Sequence, residues 1–119
     1  MSALTDAQNR AVAGLESTMM INMTFTVSYL NTSFQFTYGS GSWNFFKDYI
    51  MAFPNGTFFP ANFEIPDVNG VMTAMTWSEA LTLIQNFMNL GLAVWQHYQA
   101  KVASVMAATT PAQALSVSW

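Results

Sequence analysis

Between Trp77 and Ala108 the large residues recur at alternating steps of four and three, through Trp77, Leu81, Ile84, Met88, Gly91, Trp95, Tyr98, Val102 and Val105. This spacing predicts one long α-helix over 77–108. Thr76 followed by Glu79 forms a capping box at its start, and Thr109 and Thr110 ahead of Pro111 mark its end. A second apolar stripe, Ala80, Leu83, Phe87, Leu90 and Val94, runs beside the first. The first half of the helix is therefore apolar over more than one face. A helix of this length would reach about 50 Å, more than a compact domain of this size is wide, so one end is expected to project or to meet another chain. Gly91, lacking a side chain within the first seam, marks either a bend or a close helix crossing.

The rest of the chain changes period repeatedly. Thr5 with Gln8 reads as a capping box for an N-terminal helix over about 6–18, with Ala7, Ala11, Leu15 and Met19 on one face. From Asn22 to Leu30 the period becomes two, with Met23, Phe25, Val27 and Tyr29 facing one way. Phe34, Phe36 and Tyr38 alternate in the same manner after a turn at Asn31 and Thr32, which predicts a hairpin. Gly39, Ser40 and Gly41 break the strand. Ser42 then caps a helix carrying Trp43, Phe46, Ile50 and Phe53, stopped by Pro54, Asn55 and Gly56. A shorter hairpin pairs Phe63 and Ile65 with Val71, Thr73 and Met75 across Asp67–Gly70. Pro111, capped by Thr110, begins a short last helix.

The predicted class is α+β: a small antiparallel sheet of one or two hairpins packed on helices, with one long C-terminal helix and a short terminal one. At 119 residues there is room for a single domain, 1–119, divided into an N-terminal helical segment (1–21), hairpins and short helix (22–75), long helix (76–108) and tail (110–119).

Composition turns attention from catalysis to surfaces. The chain is 52% hydrophobic but only 8% charged, against about 25% in ordinary domains, so its exterior is covered by Asn, Gln, Ser and Thr or by other protein. Such low charge favours a subunit with faces buried in an assembly. A net charge of −3, with Arg10, Lys47 and Lys101 as the cations, does not neutralise a phosphate backbone, which disfavours nucleic acid as a partner. Cysteine is absent, which excludes disulfides and thiolate metal sites. The opening residues lack the order of a secretory signal, so the chain is expected to fold in a cytosol. Residues 80–100 carry no charge, yet Gln85, Asn86, Asn89, Gln96, His97 and Gln99 surround the helix without a basic flank, which argues against membrane insertion.

Candidate chemistry is sparse. His97, the one histidine, has no partner at ligand or acid–base spacing and reads as a polar residue on a helix surface. Asp48, Glu64, Asp67 and Glu79 are dispersed, and Glu79 is occupied in its cap. Asp67–Gly70 lacks the later acidic ligand of a calcium loop and reads as a turn. The aromatic residues follow strand and helix spacing and are assigned to the core, with a ligand pocket as the alternative. Trp119, preceded by Leu115 and Val117, makes the tail a candidate contact segment. No catalytic, cofactor or metal residue is assigned. The candidate interface comprises Leu83, Phe87, Leu90 and Val94 on the second stripe, with Leu115, Val117 and Trp119 in the tail.

The order of these features resembles a small domain found in bacteriophage tail and tail-fibre-associated proteins. The likeness rests on the Phe-rich hairpin, the Ser-initiated helix, the Asp67–Asn69 turn and Thr76, Ser78 and Glu79 opening the long helix. It continues through Lys101, Val105, Ala107, Ala108, Thr109, Thr110, Ala112, Ala114 and Leu115, and covers 23–117. The chain departs from the pattern before the loop turn, where a tryptophan is replaced by Phe63 or absent, and in a more aromatic helix core. That domain has no assigned activity, so the resemblance transfers no functional residue. It implies a non-enzymatic tail structural or assembly protein, made in the host cytoplasm and carried in the virion, whose partners are itself or other tail and fibre proteins. The alternatives are a fibre-assembly chaperone absent from the mature virion and a module binding a small apolar ligand.

Overall fold

A computed structural model describes residues 2–119, in the order α1 (Ala3–Ile21), β1 (Thr24–Tyr29), β2 (Thr32–Thr37), α2 (Gly41–Met51), a 3-10 turn (Pro54–Gly56), β3 (Glu64–Pro66), β4 (Met72–Ala74), α3 (Trp77–Met106) and α4 (Pro111–Leu115). The class is α+β, with two separate two-stranded antiparallel sheets. The chain gathers into two compact units: Thr24–Gly91, and the residues up to Met23 together with Leu92–Trp119. The first and last of the expected segments thus group with the second half of α3.

In the Thr24–Gly91 unit, β1 and β2 pair in register from Thr24 opposite Thr37 to Tyr29 opposite Thr32. The hairpin turn is Leu30–Asn31, both at positive φ, one residue earlier than the expected Asn31–Thr32. Threonine and serine occupy the wet face, where Thr24 and Thr37 share a hydrogen bond of 2.8 Å. The opposite face sends Phe34 into a core with Trp43, Phe46 and Ile50 of α2, Ile65 of β3, and Ala80, Leu83, Ile84 and Phe87 of α3. Phe36 stacks on Phe46 at 5.2 Å and meets Phe87 edge-on at 5.2 Å, so the hairpin and both helices are joined through aromatic contacts.

Caps explain where the helices begin. The Thr76–Glu79 box is formed in both directions: Thr76 N–H donates to Glu79 Oε1 at 2.9 Å and Glu79 N–H to Thr76 Oγ1 at 3.2 Å. Thr110 caps α4 by accepting from Gln113 N–H. Two caps differ from expectation. Ser2, not Thr5, caps α1, and Gln8 instead donates to the Val105 carbonyl at 3.4 Å. Ser40, not Ser42, caps α2, accepting from Trp43 N–H at 3.2 Å.

In the other unit, Ala7 and Leu15 of α1, Val105 of α3 and Ala114 of α4 form a small core, flanked by Tyr98, Val117 and Trp119.

Candidate interaction surface

The two apolar stripes of α3 have different fates. Leu83 and Phe87, expected to meet a partner, are fully buried within the Thr24–Gly91 core. This corrects the expectation, and the reason is local. Ala80 is small enough to let the core close over that stripe, so the sheet and α2 pack on it and leave no surface there. Leu90 is 39% exposed and Val94 half-buried, so the solvent side of the stripe starts only past Phe87.

Gly91 marks a close approach. A Cβ added there would lie 2.5 Å from Cζ of Tyr38, whose ring therefore lies against the helix backbone. The Tyr38 hydroxyl donates to the Phe87 carbonyl at 3.1 Å. Burial pushes the Tyr38 phenol up from its ordinary value.

The tail, a candidate contact segment by its sequence, docks on its own unit. Val117 and Trp119 pack on the Ala7, Leu15, Val105 and Ala114 core. His97 Nε2–H donates to the Trp119 backbone oxygen at 2.7 Å, and the two rings lie 4.4 Å apart. The histidine is thus a clasp for the tail. Leu115 alone of the three proposed tail residues stays exposed.

Past Gly91, α3 leaves a third stripe in solvent. Leu92 is 52% exposed, Trp95 43% and Met106 58%, with exposed Gln99 and half-buried Val102 between them. These five residues step by three, four, three and four and lie within about 80° of helix arc. Val105, which faces the core, lies on a neighbouring side of the helix. The signal was available in the spacing. It is obscured because Trp95 and Val102 also fit the seam through Tyr98 and Val105, which turns toward the interior.

The Thr24–Gly91 unit offers a second apolar feature. A groove of about 400 Å³ is lined by Phe36, Phe45, Phe46, Phe63 and Ile65, with Glu64 and Asp67 among its polar lining residues. Asp67 accepts from Thr32 Oγ1 at 2.7 Å, Asn69 N–H at 2.8 Å and Val71 N–H at 3.0 Å. The Thr32 hydroxyl, followed by the two backbone amides, holds its carboxyl below the usual carboxylate range. Its oxygens therefore hold the Asp67–Val71 turn together.

Among the described residues, no three or more His, Asp or Glu side chains come together as a metal site, and no helix is long and apolar enough to cross a membrane. No family model, curated protein or solved structure matches the chain.

Proposed function

We propose that this chain is a non-enzymatic assembly protein, an oligomerising adaptor of a bacteriophage tail or tail-fibre apparatus, whose work is done by burying uncharged apolar surface against other protein. The carrying observation is the exposed Leu92, Trp95 and Met106 stripe on a chain with 8% charged residues. Large apolar side chains aligned on one helix face gain free energy when covered, and few charges nearby oppose the contact. The phage setting is supported by the order of sequence features from the Phe-rich hairpin to the Thr109–Leu115 close.

Quantitative mass spectrometry of purified virions tests this reading. A fixed copy number per particle is the expected result. Absence from particles, with loss of fibres when the chain is deleted, would move the assignment to an assembly chaperone. Absence from particles without any effect on tail assembly would overturn both.

A second reading is favoured by the aromatic groove, whose volume and apolar lining suit a small ligand. Saturable one-to-one binding of a hydrophobic fluorescent probe, lost in Phe45→Ala, would support it. Non-saturating binding unaffected by Phe45→Ala would count against it.

A further inference from the structure

We infer that the Leu92, Trp95, Gln99, Val102, Met106 stripe of α3 pairs with the same stripe of a second copy of this chain, as a short two-helix seam. The inference rests on the assembly reading above and names its partner. The spacing is that of alternate a and d positions in a heptad, with Leu92, Gln99 and Met106 in one class and Trp95 and Val102 in the other. A surface helix that only covers its own core needs one such stripe. This half of α3 has Tyr98 and Val105 for that purpose and still presents the additional set to solvent.

Three features point to a second copy as the occupant. First, Gln99 is the one polar member of the stripe. Its carboxamide is donor and acceptor together, so it is complementary to itself, and a polar residue at a single such position fixes register. Second, the flanking Gln96 and Ala103 are exposed and uncharged, and Lys101 is the sole charged residue of this half of the helix. Two identical copies therefore meet without like charges facing each other across the seam. Third, the uncovered surface is apolar and would be buried in duplicate: Leu92 is 52% exposed, Trp95 43% and Met106 58%, and a symmetric second copy covers all three on both chains. Trp95, one turn in from the Leu92 end and 43% exposed, is the large aromatic anchor that such an interface needs.

The test uses the full chain. Sedimentation equilibrium is measured over about 1–500 µM, the range in which weak protein pairs dissociate. Trp95→Glu and Leu92→Glu are compared with Ala93→Glu and Ser104→Glu, which place the same charge on other exposed positions of this helix. Unchanged circular dichroism and melting establish that each variant folds. The expected result is a wild-type dimer weakened at least about thirty-fold by Trp95→Glu and left intact by the controls. Gln99→Leu, which removes the polar member without adding bulk to a packed core, is expected to tighten association about tenfold. A wild-type oligomer that survives both seam substitutions would overturn the seam and leave the assembly reading standing. A wild-type monomer across the range would also overturn it. If Trp95→Glu then abolished incorporation into particles, the stripe would belong to a different chain.

Discussion

Gly91→Ala is the substitution for which helix propensity and tertiary packing predict opposite signs. In an exposed helix interior the change stabilises by about 1 kcal/mol. Here the new Cβ would stand 2.5 Å from Tyr38 Cζ and 2.6 Å from both Cε2 and the hydroxyl oxygen, inside van der Waals contact. The Tyr38 ring has little room to retreat, with Trp43 at 5.0 Å and Phe25 at 5.9 Å between centroids. Moving it gives up the hydroxyl bond to the Phe87 carbonyl, about 1 kcal/mol, and overpacks its neighbours by about 1–3 kcal/mol. The losses exceed the gain, so Gly91→Ala is expected to destabilise by about 1–3 kcal/mol, a fall in Tm of about 4–12 °C for a chain of this length. Urea unfolding followed by tryptophan fluorescence measures it. Repeating the substitution in a Tyr38→Ala background isolates the cause: without the ring, Gly91→Ala should stabilise by about 1 kcal/mol. A stabilising effect in the wild-type background, or the same effect in both backgrounds, would refute the reasoning.

Other outcomes follow from the caps and from the Asp67 turn. Thr76→Ala removes the hydroxyl that accepts the Glu79 amide and is expected to cost about 1 kcal/mol in urea unfolding, with the m-value unchanged. A change within experimental error would show that water replaces the cap fully. Asp67 has a folded pKa below its unfolded value, so its contribution is present above about pH 4 and is lost as pH falls through the folded pKa. Asp67→Asn should therefore lower stability at pH 7 and flatten the acid limb below about pH 4. An acid limb identical in variant and wild type would place its origin elsewhere.

How much of this was legible in the chain depends on the kind of signal. Period-two alternation with Thr and Ser opposite Phe and Val located both strands of the first hairpin, because a half-buried strand writes its two faces directly into the residues. Its turn was misplaced by one residue because Leu30, at φ 53, occupies a left-handed position that leucine seldom takes. Ser40 and Ser42 are equally good caps by type, and only the position of the free Trp43 amide separates them. The faces of α3 were the harder problem. Spacing shows that apolar stripes exist on a helix, and it does not say which of them the sheet will cover. The clue lay in the small residues: Ala80 and Gly91 are places where neighbouring atoms come close, and they point to the Leu83 and Phe87 side as the interior. For the tail, the sequence shows a need for cover but does not say what supplies it. A terminal tryptophan wants cover, and His97 supplies it from the same unit.

The claim on which the account rests is that a chain this apolar and this poor in charge keeps a helix face for other copies of itself. Sedimentation equilibrium of the wild-type chain at rising concentration addresses it directly. The account predicts an average mass that climbs from 13.2 kDa toward twice that value. A mass fixed at 13.2 kDa across the whole range would contradict it.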